Sequence, residues 1–294
     1  SLVTGVQTCA LPIFFLIQVR SELKKLYARR RTYIGYGAFL ILELVILWVF
    51  HLDKPREEMA KILSDAGLEV DHYYSALTVT YWMIGFSMAM LGAIYLALVS
   101  GDIVAKESED GNLRMVLARP ISRLRVLTIK YVAVLVYTLT FGWFVGISGY
   151  LMSAIALGWD GGLFVWNYEL KVFAFFPELS AGIGRLCLAL LLLSLSMCTL
   201  SSIGFAFSCL KIKPAAATIL ALSVLFVDSV LQMLPFMAPY REHLLTHRMS
   251  NWVFALENNI SWAKLAESYT ALVGLDLTLF VLGWMAFRVR DIKT

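Results

Sequence analysis

Of the 294 residues, 60% are hydrophobic and 16% charged, with a mean hydropathy of +0.74, so apolar residues far exceed what a soluble core of this length can use. That excludes a soluble globular domain and leaves a polytopic membrane protein of small net charge, +4, with no nucleic-acid partner expected. Helices are the expected spans: the apolar runs reach about 20 residues, as a helix crossing ~30 Å of hydrocarbon needs, and are not the ~10-residue alternating segments of a barrel.

The first residues stand apart. Val3 to Ile13, VTGVQTCALPI, resembles the in-frame translation of a sequencing-adapter oligonucleotide. Residues 1–13 are therefore expected to be a scar with the native start missing, and no basic n-region precedes them to make a signal peptide. From Phe14 to Arg31, Phe15, Leu16, Val19, Leu23, Leu26 and Tyr27 recur at three- and four-residue spacing, with Arg20, Lys24, Lys25 and Arg29 on the other side. Residues 14–31 are expected to be an interfacial helix lying on the membrane before the first span.

Six spans follow: Thr32–Phe50, Leu77–Val99, Val126–Leu157, Ile183–Leu210, Pro214–Leu234 and Tyr269–Phe287. The third and fourth are longer than a bilayer needs and are expected to tilt or to project into water. Hydrophilic loops join them at 51–76, 158–182 and 236–268 on one side, and at 100–125 and 211–213 on the other. Eight of the 25 Lys and Arg residues belong to the first side and seventeen to the second. The positive-inside rule then makes the second side and both termini cytoplasmic, in a bacterial or archaeal cytoplasmic membrane.

In the fourth span Cys187, Cys198 and Cys209 recur every eleven residues, about three turns, so they fall on one face as small packing residues. Neighbours ~16 Å apart cannot form a disulfide. In the loop 236–268, Trp252, Val253, Leu256, Trp262 and Leu265 sit at roughly helical spacing. One or two helices are expected there at the outer interface, with the tryptophans at headgroup level.

Three carboxylates, Glu43, Asp228 and Asp276, fall within the spans. Burying an ionised group in hydrocarbon costs several kcal/mol, so each needs a partner, water or a proton, and together they are candidates for a polar transport path or a dimer seam. Catalysis is not expected. Gly146-Ile147-Ser148-Gly149 matches a short intramembrane serine-protease pattern, but every histidine (His51, His72, His243, His247) lies in the outer loops, away from any base role. Glu242-His243 with His247 has the glutamate on the wrong side for a zinc protease, and no metal or bound cofactor is expected. No GxxxxGK[ST] phosphate loop occurs, so any ATP hydrolysis belongs to another subunit.

The stretch 100–130, SGDIVAKESEDGNLRMVLARPISRLRVLTIK, is the longest charged interruption in the chain. Gly111-Asn112 tolerates left-handed backbone and ends the helix continuing from the second span. Leu113, Val116 and Leu117 then share one face of a helix of about one and a half turns. Pro120 biases Arg119 toward an extended conformation, and Ser122 is placed to cap the next helix. The product is a short helix transverse to the membrane, with an apolar face and flanking charges, suited to seating in a cleft.

Glu107-Ser108-Glu109-Asp110-Gly111-Asn112-Leu113-Arg114-Met115-Val116-Leu117-Ala118-Arg119-Pro120-Ile121-Ser122-Arg123 resembles a segment of ABC-2-type transporter permeases, with Asn112 where threonine is commoner. The basic helix ending in Arg29-Arg30-Arg31-Thr32 before the first span is similar too. The resemblance implies an all-α fold: six transmembrane helices, the N-terminal interfacial helix and a cytoplasmic coupling helix, in a single transmembrane domain over 14–294. It further implies a homo- or heterodimer of such subunits with two ATP-binding cassette subunits, ATP and Mg being held by those partners, and contact with membrane lipid. The coupling helix would seat Leu113, Val116 and Leu117 on the ATPase, bounded by Gly111 and Pro120, with Glu107, Glu109, Arg114 and Arg119 as ionic contacts. The expected function is export of a hydrophobic or amphipathic substrate, or service in a maturation or multidrug system. The alternative is an ion-driven carrier or a membrane scaffold without an ATPase partner, in which the loop is structural and the buried carboxylates carry ions.

Overall fold

The computed structural model describes residues 4–111 and 121–289, with side chains from residue 15 onward. Among the described residues six helices are long and apolar enough to cross a membrane: Arg30–Phe50, Ala76–Glu109, Arg123–Leu157, Leu179–Ser208, Pro214–Met233 and Trp262–Val289. In hydrocarbon a backbone must satisfy its own hydrogen bonds, and a helix does so within one segment. The ends follow from local chemistry. Pro214 occupies the first turn of the fifth span, where its missing N–H costs nothing, and Gly158 closes the third with φ +100°. The second, third and fourth spans, at 34, 35 and 30 residues, are each ~45–53 Å long and outrun a bilayer core.

The fourth span is the hub. It packs against the second, third, fifth and sixth, while the first, fifth and sixth turn most of their surface outward. Small and hydroxyl residues let the backbones approach. Thr138 bonds Ser201 at 2.7 Å, Tyr131 bonds Ser202 at 2.9 Å and Ser196 bonds Tyr269 at 2.9 Å, all across helix pairs. A Cβ on Gly142 would overlap the Ser194 side chain, and one on Gly204 would overlap Ser100. Cys198 and Cys209 are buried in these seams, but Cys187 is exposed, the helix packing at that level through Leu186, Ala189 and Leu190.

Several elements depart from expectation. The amphipathic first helix runs Thr4–Tyr27, and the next begins at Arg30, so Arg30 and Arg31 belong to the first span and not to the interfacial helix. That first helix packs along the third span through buried Val19 and Leu26, while Leu16 and Ile17 face outward. The second span carries a π-helical segment, Met88–Gly92, that no periodicity announced.

The loop 158–182 is not hydrophilic. It folds into an antiparallel hairpin, β1 (Leu163–Asn167) and β2 (Val172–Phe176), with Leu163 opposite Phe176 and Asn167 opposite Val172. Each apolar run is far too short to span a membrane but long enough for a strand, and burial alternates along β2. Ser75 and Thr78 at the head of the second span seat the hairpin: Ser75 Oγ donates to Gly162 O at 2.5 Å, and Phe164 N–H donates to Thr78 Oγ1 at 2.9 Å. Gly161, at φ +124°, lies so close to Ser75 and the His72 carbonyl that only a glycine fits. The loop 51–76 likewise holds a helix, Asp53–Asp65, whose Met59 and Leu63 pack with Tyr73 and Phe164.

In 236–268 short helices do occur, a 3₁₀ segment Pro235–His243, an α-helix Leu245–Ser250 and a 3₁₀ segment Asn251–Leu256. The last is buried along its whole length. Trp252 therefore lies in the core, its ring 6.0 Å from that of Tyr81, and not at headgroup level; Trp262 is the exposed tryptophan of this stretch.

Candidate functional site

The two loop sets lie at opposite ends of the bundle, a hairpin face and a basic face from which the segment 112–120 departs. At the basic face the second span runs as regular helix to Glu109, and Gly111 adopts φ +74°, the left-handed turn its position demands. Ser122 caps the third span by accepting the Arg125 N–H at 3.3 Å. Of the residues proposed to dock a partner, Glu107, Glu109 and Gly111 are placed here; Leu113, Arg114, Val116, Leu117, Arg119 and Pro120 lie outside the described residues.

The centre of this face is a residue that sequence reading passed over as the end of a basic stretch. Lys130, 2% exposed, extends its ammonium between Glu107 of the second span at 2.7 Å and Glu22 of the first helix at 3.2 Å. Burial alone would raise the Glu22 carboxyl, but the Lys130 ammonium and Lys25, 2.6 Å away, outweigh it and hold it below its ordinary value of 4.5. Arg31 pairs with Asp102, joining the first span to the second. Arg125 Nε donates to Gln18 at 3.2 Å, and Arg123 donates to the Arg288 carbonyl at 3.1 Å, drawing in the sixth span. The first helix and the first, second, third and sixth spans are thus cross-tied at this face. Position was the only sequence signal: a lysine seven residues inside a span must find carboxylates there.

The three intramembrane carboxylates occupy three different settings. Glu43, fully buried in the first span, accepts a hydrogen bond at 3.0 Å from Ser148 of the third, and its second oxygen is buried without a partner. Ser148 also donates to the Phe144 carbonyl at 2.9 Å, and no histidine bonds it. Asp228, near the hairpin-face end of the fifth span, caps the helix Leu245–Ser250, accepting from Leu245 N–H at 3.0 Å, Thr246 N–H at 2.7 Å and the Thr246 hydroxyl at 2.5 Å. Asp276 is half-buried on the sixth span, facing the seam with the third and fourth, where Tyr131 reaches its backbone carbonyl at 3.4 Å. The three do not converge on one site. Among the described residues no group of three His, Cys, Asp or Glu side chains is placed to hold a metal.

Toward the hairpin face a cavity of about 780 Å³ opens among the second, fourth and fifth spans. Met88, Met197, Met249, Leu225 and Phe226 line its body, with Tyr81, Trp82 and Trp252 at its side. Polar groups complete the lining: Asn167 at the end of β1, Glu169 in the hairpin turn, and Ser229, Gln232 and Thr246. The π-helical segment forms part of the wall, and methionines adapt to irregular contents. The size is that of a small-molecule site with an apolar body and a few polar groups. None of these residues was singled out in the sequence, since each reads locally as ordinary span or loop.

A search of curated proteins found no match to the chain. A family model described as ABC-2 family transporter protein matches residues 19–278, which takes in the first five spans, the sixth as far as Thr278, and the cavity.

Proposed function

The chain belongs to the ABC-2 family of transporter proteins, a multi-pass membrane permease component of an ABC transporter, and from that premise we propose that it is an exporter subunit driven through its basic face. That face lies in the cytoplasm, where seventeen of the 25 Lys and Arg residues gather. The segment 112–120 docks in a cleft of an ATP-binding cassette subunit, through Leu113, Val116 and Leu117 with Arg114 and Arg119 beside them. Glu109, exposed at the end of the second span, is the acidic contact nearest that cleft. Glu107 instead fixes the lever from behind through Lys130. ATP and Mg are held by the partner, and a second permease subunit completes the pathway.

The observation that carries this reading is the Lys130 tie. A docking loop transmits force only if its two roots move together, and here the ends of the second and third spans are joined by a buried ion pair. The substrate that fits the cavity is an amphiphile, its apolar part against the methionines and its polar group among Asn167, Gln232 and Thr246. Glu43, Asp228 and Asp276 are not the path in this reading: none of them lines the cavity, and Asp228, though bonded to the lining residue Thr246, is occupied in capping the helix Leu245–Ser250.

Affinity purification from native membranes tests it. An ATP-binding subunit and vanadate-sensitive ATP hydrolysis should co-purify with the permease, and Val116→Asp with Leu117→Asp should abolish both while membrane insertion persists. A complex without any ATPase, or one unaffected by the two aspartates, refutes the proposal.

A further inference from the structure

A second cavity, about 700 Å³, lies at the basic face where the first helix, the first span and the second span meet. Its cations come from all three elements: Lys25 from the first helix, Arg29 at the turn, Arg30 and Arg31 from the first span, and Lys106 from the second. Two carboxylates share the lining, Glu107 and Asp110. Glu107 is already engaged by Lys130 at 2.7 Å, and Arg31 by Asp102. Among the described residues no carboxylate lies within 4.0 Å of the charged nitrogens of Arg29, Arg30 or Lys106; Asp110 shares the lining without pairing any of them at that distance, so five cations against two carboxylates leave the space with an excess of positive charge.

What lies beneath the cavity indicates what enters it. Tyr33 and Ile34 follow Arg30 by three and four residues, so they sit on its face of the helix one turn deeper, and they are 68% and 71% exposed. The stripe continues through Gly37, with nothing within 4 Å of where a Cβ would stand, to Ile41, 64% exposed. An outward apolar track on a membrane span, topped by excess positive charge, matches a lipid: acyl chain along the track, phosphate above it.

We propose that this cavity is a binding site for the phosphate headgroup of an anionic phospholipid. A phosphodiester there supplies the close counter-charge that Arg29, Arg30 and Lys106 lack, and it bridges the first span to the end of the second, next to the departing segment 112–120. A bound anionic lipid thereby stiffens the same lever that the Lys130 tie holds. The site is a property of the permease chain alone. Its failure would leave the transport reading intact, because the test involves no ATPase.

The test uses the permease in nanodiscs of phosphatidylcholine, with and without 30% phosphatidylglycerol. Both leaflets then carry the same lipid, so the outcome does not depend on orientation. Phosphatidylglycerol should raise the unfolding midpoint, and native mass spectrometry after detergent release should show it retained in preference to phosphatidylcholine. Arg30→Gln, at an exposed position that folding tolerates, should cut that preference roughly fivefold, and Arg30→Gln with Lys106→Gln should erase it. Arg241→Gln on the hairpin face is the control and should change nothing. The proposal is overturned if the two lipids are retained equally, if the double variant keeps its preference, or if inorganic phosphate or ATP alone reproduces the rise in midpoint.

Discussion

Replacing Lys130 with methionine isolates the contribution of the tie at the basic face. The Lys130 side chain is 3% exposed and those of its two carboxylate partners 13% and 15%, so water compensates little when one is lost. Removing Lys130 leaves Glu107 largely buried without its counter-charge, Glu22 keeping only Lys25, which costs about 3–5 kcal/mol, or roughly two to nearly four orders of magnitude in the folded-to-unfolded ratio. A surface pair would cost about 1 kcal/mol or less, so the measurement discriminates between the two settings. The assay is reversible denaturation in mixed micelles, run on Lys130→Met and on a triple variant that adds Glu22→Gln and Glu107→Gln. The triple variant should recover to within about 2 kcal/mol of the parent, because neutral groups of similar volume tolerate the same burial. The pH dependence has a definite sign. Glu22 is held below its ordinary 4.5 in the folded state, so its contribution is full above that value and lost as pH falls through the folded value. In Lys130→Met that acid-side loss should shrink. A single variant costing under about 1 kcal/mol, or a triple variant as damaged as the single one, would refute the reasoning.

Gly142→Val drives a branched side chain into Ser194 across the seam of the third and fourth spans, and should destabilise by about 1–3 kcal/mol in the same denaturation assay. Asp228→Ala removes the cap of the helix Leu245–Ser250 at a cost of about 0.5–2 kcal/mol, read as faster amide exchange over 245–250, while Asp228→Asn should lose less than the alanine. Arg185 donates to the Ala255 carbonyl at 3.3 Å and the Asn258 carbonyl at 2.9 Å while lying over the Phe176 ring. Arg185→Ala should therefore cost about 1.5–3 kcal/mol and expose the 251–256 segment to protease; resistance equal to the parent would count against that anchoring.

Six spans were legible because each is a near-continuous apolar run of about membrane length, and no tertiary contact is needed to see that. Their ends were less so. The second span passes its expected limit at Val99 by ten residues, because Ser100 to Ala105 are buried in contact with the fourth and fifth spans although they include Asp102. Asp102 looked like solvated loop only because its partner, Arg31, is 71 positions away. The hairpin was missed, and Asn251–Leu256 was expected as an interfacial helix and not a buried one, for the same reason: whether so short an apolar run is buried depends on what it packs on. Asp228 was readable as an intramembrane carboxylate, but its bonds run to backbone N–H groups seventeen and eighteen residues later, in a segment whose helix is itself only six residues long. The cavity was illegible in principle, since it is a gap among three spans and two loops.

The second span is what connects the two sites. From the end of the π-helical segment at Gly92 to Glu107 at the Lys130 tie, it is one uninterrupted α-helix of fifteen steps, ~22 Å. An α-helix transmits displacement along its axis because each turn is hydrogen-bonded to the next, whereas a π turn widens the ring and is the place where such a rod can change register. The Met88 wall of the cavity therefore lies at the one point of the span where helical geometry is already altered, and the other end of the rod is clamped to the first helix and the third span. On the transport reading, movement of the segment 112–120 has a stiff path to the cavity and a compliant joint on arrival. Severing the path in the middle should then uncouple the two ends without unfolding either. Pro substitution at Leu98, which is only partly buried and stands outside the cavity lining, is the change that does this: ATP hydrolysis by the assembled complex should persist while transport falls, and equal loss of both would place the coupling elsewhere.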